Sequence, residues 1–196
     1  MTTTKHDHLR GSQFGIDDPH TLADIQGNIL VGYRARFVRH LVVRVRNPLS
    51  ARAFIEAVVS GRDDVPQLTT AERWYAKPST CLNVAVTYTG LQALGLDDRS
   101  LQTFPLAFHQ GAAARAHKVG DVGDSAPDGW RDGLGDPDAA HLMWTIHAFA
   151  DRADIESLAL RLESMWILTQ AFSITSRFDG ATFDTYPGHE IGRAHV

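Results

Sequence analysis

The sequence has little of what several classes of protein require. It contains one cysteine, Cys81, so the chain cannot form an internal disulfide. It has no apolar run near the roughly 20 residues that cross a bilayer, and residues 1–14 lack both the apolar core of a secretory signal and an arginine pair. Its 19 basic residues are fewer than its 23 acidic residues. We therefore expect no disulfide scaffold, no membrane span, no nucleic-acid partner and a cytoplasmic location.

What is present is the composition of a globular protein with a core. Hydrophobic residues make up 43% of the 196 residues and charged residues 21%. The first residues show no apolar periodicity. We expect a flexible N-terminal arm over 1–21 and one folded domain over 22–180.

Four segments alternate apolar and polar residues as half-buried strands do: 37–46, 81–88, 141–149 and 171–178. Asn47 and Pro48 predict a helix that ends at Gly61. Shorter helical segments cover 89–96 and 104–117, and the most regular helix follows Asp151. Its apolar residues recur at helical spacing: Ile155, Leu158, Ala159, Leu162, Met165 and Trp166.

The order of these elements predicts an α+β fold. Two βαβ halves form a ferredoxin-like (split βαβ), four-stranded antiparallel sheet with helices on one face. The other face is then open and can meet a second sheet, as in a dimeric α+β barrel. We expect four residues to be exposed there: Val38, Val42, Met143 and Phe149.

The histidines predict no metal centre. Only His6 and His8 have the alternate spacing of a strand pair, and His141 and His147 share a face but are too far apart. We therefore expect surface or capping roles for all ten: His6, His8, His20, His40, His109, His117, His141, His147, His189 and His195.

The other chemistry-bearing residues give no recognisable site either. In the loop over 118–140, Asp132, Asp136 and Asp138 lack the ligand ladder of a calcium-binding loop. Cys81 has no basic neighbour or helix start to activate it, so we expect a small core residue. From the residues alone we predict no catalytic, cofactor-binding or metal-binding position.

Four stretches, in order along the chain, resemble the N-terminal half of the dye-decolourising peroxidases, a haem peroxidase family: 24–30, 82–95, 104–111 and 120–127. The resemblance spans roughly residues 22–180. It implies that the complete protein has two ferredoxin-like domains, of which this is the first, and that the C-terminal domain is missing here. It also implies haem b as cofactor, hydrogen peroxide as oxidant, and dyes or phenolic compounds as aromatic reductants.

The resemblance does not extend to the family's catalytic residues. The family's acid lies in a Gly-x-x-Asp-Gly motif after the last strand of this domain, and its distal arginine and iron-ligating histidine come later. Asp179 and Gly180 do not match, because Ser176 stands where the first glycine belongs. One literal match, residues 129–133, precedes the third strand. The resemblance thus implies that this chain alone is inactive and binds no haem specifically.

The last residues suggest why the chain stops. Residues 190–196 can be back-translated as GAG ATC GGA AGA GCA CAC GTC, a run found in widely used sequencing adapters. We expect 181–196 to be a truncated, artefactual tail in which Arg193 and His195 carry no biological meaning. The alternative is a natural, unstructured C-terminus.

Two other functions remain open from the sequence. One is a non-catalytic α+β module that self-associates through its open sheet face into a homo-oligomeric barrel. The other is a small oxygenase or dismutase-like enzyme of the dimeric-barrel type, which would need a polar pocket between sheet and helices.

Overall fold

A four-stranded antiparallel sheet organises the chain. The computed structural model describes residues 16, 18–30, 32–62 and 64–182. The strands are β1 (Phe37–Val45), β2 (Thr80–Val86), β3 (Leu142–Ala148) and β4 (Phe172–Ala181). Their order is β2-β3-β1-β4, with β1 antiparallel to both β3 and β4. The predicted α+β, ferredoxin-like architecture is therefore confirmed.

Helices join and flank the strands. They are α1 (Pro19–Ala23), α2 (Gly27–Leu30), α3 (Pro48–Ser60), α4 (Tyr88–Ala93), α5 (Asp98–Leu101), α6 (Leu106–Val119) and α7 (Arg152–Thr169). Helix α1 straddles the expected boundary between arm and domain. Three short 3₁₀ turns occupy part of the predicted loop: Gly123–Ser125, Pro127–Gly129 and Arg131–Gly133. No helix in the described ranges is long and apolar enough to cross a membrane.

Helix α3 begins and ends where the sequence predicts, and helix α7 begins where the sequence predicts. The Asn47 side chain accepts hydrogen bonds from the N–H groups of Leu49 (3.0 Å) and Ser50 (3.1 Å), and α3 ends at Gly61 with φ of 68°. Asp151 accepts from the N–H of Ala153 at 2.9 Å at the start of α7. These caps fix the ends of the helices that cover the sheet.

The main core lies between the sheet and helices α3 and α7. Four aromatic rings from four elements meet there: Phe54, Trp144, Trp166 and Phe172. Their ring centroids are 5.6–6.2 Å apart, and most of the pairs meet edge-on, as aromatic pairs prefer. This cluster determines which face of the sheet the helices occupy.

A β-bulge in β4 alters the predicted face of one residue. The sequence alternation put Phe172, Ile174 and Phe178 on one face, but the register of β4 against β1 shifts between Val42 and Val43. Phe172 thus enters the core, whereas Phe178 lies opposite His40 on the other face. The extra residue reverses the alternation, which sequence periodicity does not reveal.

The free edge of β2 is closed by the Gln26 side chain and by Thr69 rather than by another strand. The Gln26 side-chain amide donates to the Val84 carbonyl (2.9 Å) and accepts from the Val84 N–H (2.8 Å). Thr69 adds a backbone bond to Leu82 O at 2.8 Å and accepts from Leu82 N–H at 3.0 Å. These contacts occupy polar groups that would otherwise be available to another chain.

The second sheet face is covered in part, which corrects one expectation. Val42 is 5% exposed rather than open. Phe149 is half-buried against Trp74, with the Lys77 ammonium 3.8 Å from its ring centroid. Of the other two predicted residues, Met143 is 36% exposed and Val38 is half-buried. The covering segments come from long connections, whose paths the strand pattern does not encode.

A buried arginine links α7 to two strands. The Arg39 side chain is 5% exposed and donates to both Asp179 of β4 and Glu156 of α7, with distances of 2.7–2.8 Å. Arg152 also donates to Asp179, at 2.7 Å. Hydrogen bonding to Arg39 lowers the pKa of both carboxyl groups and raises the pKa of the guanidinium. These ion pairs compensate the positive charge of Arg39, which is buried among apolar residues.

Removing Arg39 should destabilise the fold far more than removing a surface cation. We expect Arg39→Ala to lower the free energy of unfolding by roughly 2–3 kcal/mol, because Asp179 loses its main partner in a partly buried position. The matched control is Arg177→Ala, which removes the partly exposed ion pair with Glu163 and should cost under about 1 kcal/mol. Urea unfolding measures both, and equal losses would contradict this account.

Candidate functional site

Polar side chains concentrate on the sheet face that α3 and α7 leave free. Asn83, Thr145 and Ser176 are buried there, and His40 and His147 are half-buried. The strand register explains the grouping, because Thr145 lies opposite both His40 and Asn83. Burying a polar side chain costs free energy unless it is hydrogen-bonded, so a concentration of buried polar groups on one face needs an explanation. We take this face as the candidate functional surface.

The two histidines on this face are held in the neutral form. His40 Nδ1 and Thr145 Oγ1 share a hydrogen bond of 2.9 Å. Burial lowers the pKa of both imidazoles, that of His147 to about 4, with the neighbouring His40 as a further cause. The Tyr33 ring meets His147 edge-on at 5.1 Å. Neutral imidazoles can each donate and accept one hydrogen bond.

Two buried polar atoms on this face lack a partner within the described part of the chain: His147 Nδ1 and Asn83 Oδ1. Asn83 is 1% exposed, and its amide nitrogen donates to the Thr69 carbonyl at 3.2 Å. Buried polar atoms without a partner are rare because they lose hydration without compensation. Both atoms are enclosed by residues of this chain, so they lie beneath this face and not on its exposed part.

The literal Gly-x-x-Asp-Gly match reaches the same face. Asp132 has φ of 55°, left-handed for a non-glycine residue, and accepts a hydrogen bond from the buried Ser176 hydroxyl. The neighbouring Arg131 guanidinium lies 5.4 Å from the ring centroid of Phe178. The motif thus anchors a loop across the sheet. Asp179, the other aspartate considered in the sequence, faces α7 instead and binds Arg39.

The remaining predicted residues do not gather into a site. His141 is buried, its Nδ1 accepts from the Val45 N–H at 3.0 Å, and burial lowers its pKa. Cys81 is 1% exposed in a small cluster with Tyr33. Asp136 accepts from the N–H of Asp138. Among residues that the structure describes, no three His, Cys, Asp or Glu side chains are grouped to hold a metal.

Four of the predicted histidines fall outside the described residues: His6, His8, His189 and His195. The same is true of most of the predicted artefactual tail. Of the other histidines, His20 lies in α1, and His109 and His117 lie in α6. The His109 ring stacks on Tyr88 with centroids 4.4 Å apart.

A cavity of about 460 Å³ lies beside α6, away from the histidine pair. Its walls include Tyr88, Phe108, Trp130, Arg115 and Asp121. No pattern in the sequence predicts this cavity. Its aromatic residues lie on three separate segments, so their convergence could not be read from spacing.

These walls do not suit a haem iron. No His, Cys or Met lines the cavity, and of the residue types that ligate haem iron only Tyr88 does. That ring is already stacked on His109 and edge-on to Phe108. This cavity therefore offers no suitable axial ligand for haem iron, and no reaction step through haem is assigned to its walls.

The geometry defines a class of protein on its own. It is a split-βαβ domain whose second sheet face is polar and partly exposed, an arrangement that a second sheet can cover in a barrel. No curated protein sequence matches the chain. The family model described as "DyP dimeric alpha+beta barrel domain" matches residues 24–182. The chain belongs to this family.

Solved structures share the fold. A fungal DyP-type peroxidase from Auricularia auricula-judae superposes with a TM-score of 0.69 at 20% identity, over 86% of this chain and 35% of that one. A dye-decolorizing peroxidase in complex with 2,6-dimethoxyphenol gives 0.67 at 24% identity, over 85% and 35%. A variant of a dye-decolorizing peroxidase in complex with cyanide gives 0.65 at 22%, over 81% and 34%. The chain thus spans about a third of the length of these proteins.

Removing the buried imidazole of His147 should weaken the acid sensitivity of folding. Unfolded histidine takes up a proton near pH 6.5, whereas folded His147, with its pKa lowered by burial, does so at about 4. Between these values the unfolded state binds more protons, so stability falls as the pH drops from about 7 to about 5. We expect His147→Phe to reduce that loss by on the order of 1 kcal/mol, after allowance for partial exposure.

Urea unfolding at both pH values measures the difference. The control is His117→Phe, on the exposed surface of α6, which should leave the loss of stability as in the parent chain. An unchanged loss in the His147 variant would show that its burial does not oppose protonation.

Proposed function

We propose that this chain is the N-terminal domain of a haem-dependent peroxidase that uses hydrogen peroxide to oxidise dyes or phenolic compounds. The observation that carries the proposal is the family match over residues 24–182. The length relation supports it, because the chain covers 34–35% of the three solved peroxidases. The complete protein would bind haem b and an aromatic reductant through parts that lie outside this chain.

The chain on its own is inactive in this proposal. Peroxide cleavage needs an iron with an axial ligand, and a neighbouring acid and cation that move the proton and stabilise the developing charge. Asp132, the aspartate of the literal Gly-x-x-Asp-Gly match, already accepts a hydrogen bond from the Ser176 hydroxyl. The buried cation Arg39 is engaged by two carboxylates behind the sheet. Neither is presented to an open cavity.

In this proposal, the domain supplies one wall of the barrel, and that wall is already folded in this chain. In this sheet, β1 is hydrogen-bonded on both sides. The second face carries the neutral imidazoles of His40 and His147 and the Asn83 amide, and the Asp132 carboxylate reaches it through Ser176. A second sheet from the missing C-terminal domain would cover the part of this face that is still exposed, at Met143. The assembled barrel would exclude water from the site between its parts. A cytoplasmic location belongs to the same proposal, supported by the single cysteine.

A second candidate is the non-catalytic module that pairs with its own copy. The specific observation in its favour is the remaining exposure of the sheet face, where Met143 is 36% exposed and Val38 is half-buried. A second copy would bury the same face that the missing domain would. The two candidates differ in whether the complete protein contains haem.

The chain alone should bind no haem in a defined site. We expect a titration with hemin to give no stoichiometric Soret band of a histidine-ligated iron, because the described cavity walls contain no histidine. Absorbance and magnetic circular dichroism provide the measurement, with myoglobin apoprotein as the positive control. A saturable band at one haem per chain would contradict the proposed division of the site.

The complete gene product should be a peroxidase. We would recover the genomic reading frame that contains residues 22–180, express its whole product, and assay oxidation of an anthraquinone dye with hydrogen peroxide. We expect a haem-loaded protein with peroxide-dependent turnover, and none from the 196-residue chain under the same conditions. A complete product that lacks haem and elutes as a clean dimer in size-exclusion chromatography would favour the self-associating module.

A further inference from the structure

The cavity beside α6 has the walls of a binding site for a small ring. Tyr88, Phe108 and Trp130 line it, and its volume of about 460 Å³ lies within the usual range for small-molecule sites. Gly111, also in the wall, interrupts α6 with φ of 68° and ψ of −176°. That break turns the chain between Phe108 and the second half of the helix. Aromatic side chains in the wall of a cavity suit an aromatic ligand, whose ring can stack on them or meet them edge-on.

The cavity also contains one charge of each sign, neither of them neutralised by an ion pair within the described residues. There the Arg115 guanidinium makes one hydrogen bond, to Gln110 Oε1 at 3.2 Å. The carboxylate of Asp121 makes no hydrogen bond or ion pair to another described residue. Both side chains line the cavity and are half-buried. A half-buried charge is stabilised when a ligand group of opposite charge binds to it.

The helix itself separates the two charges along its axis. Arg115 lies inside α6, whereas Asp121 follows its C-terminal glycine, Gly120, and its N–H donates to the Ala116 carbonyl. The C-terminal end of a helix carries partial negative charge and favours a cation. The end of the cavity near Asp121 therefore suits a positive group, and the part near Arg115 suits a carboxylate.

We propose that this cavity binds a small aromatic zwitterion, of the class of the aromatic α-amino acids. The carboxylate of the ligand meets Arg115, its ammonium meets Asp121 and the helix end, and its ring packs among Tyr88, Phe108 and Trp130. A ligand with one charge would leave the other cavity charge facing it unpaired. This site lies outside the haem chemistry of the proposed function and does not require it.

Four probes test the charge pattern on the 196-residue chain without haem or peroxide. They are L-tryptophan, 3-indolepropionate, tryptamine and L-alanine, measured by isothermal titration calorimetry. We expect L-tryptophan to bind about tenfold or more tightly than 3-indolepropionate or tryptamine, since each lacks one charge-assisted contact, and L-alanine not to bind. Absence of L-tryptophan binding, or equal affinity for a singly charged indole, would overturn the proposal.

Substitutions locate the site. Arg115→Gln and Asp121→Asn should each weaken L-tryptophan binding by about tenfold. The matched controls, Lys118→Gln on the same helix and Asp124→Asn three residues beyond Asp121, do not line the cavity and should leave it unchanged. Equal effects of the cavity and control variants would overturn the proposal. If a variant does not fold, the four-probe comparison on the parent chain still decides the question, and neither result depends on the peroxidase assay.

Discussion

The aromatic cluster of Phe54, Trp144, Trp166 and Phe172 is the contact on which the rest of the structure depends. Each ring comes from a different element, so the cluster forms only when both main helices and two strands are in place. It determines that helices α3 and α7 pack on one face of the sheet. Because successive side chains of a strand point to opposite faces, every second side chain of each strand then lies on the opposite face. The polar character of that face follows from this division.

The same division explains the position of Arg39. Its strand neighbours on the helix side, Leu41 and Val43, are fully buried, so a charge at this place must have partners nearby. Asp179 and Glu156 provide them from β4 and α7. The network is thus a consequence of the fold rather than a reactive centre, although hydrogen bonding shifts the pKa of all three groups. Perturbed ionisation alone does not identify a functional residue.

Periodicity in the sequence located all four strands and the helices α3 and α7, because burial on one face imposes it. It also indicated the caps at Asn47 and Asp151. It did not indicate the bulge in β4, which sends Phe178 to the other face. Nor did it indicate the cavity, whose walls converge from α4, α6 and the chain beside a 3₁₀ turn. Arg39 left a signal, a charged residue in register with an apolar face, but its partners lie more than 100 positions away in sequence.

The Gln26 amide that closes the edge of β2 has a consequence for assembly in solution. With that edge occupied, the strand backbone that can still extend the described sheet belongs to β4, at the opposite end of the order β2-β3-β1-β4. Two molecules that joined through β4 would form one continuous sheet whose outer ends are both closed by glutamine. Growth by strand addition would therefore stop at a pair, and Gln26 together with Thr69 would be the barrier against open-ended fibres.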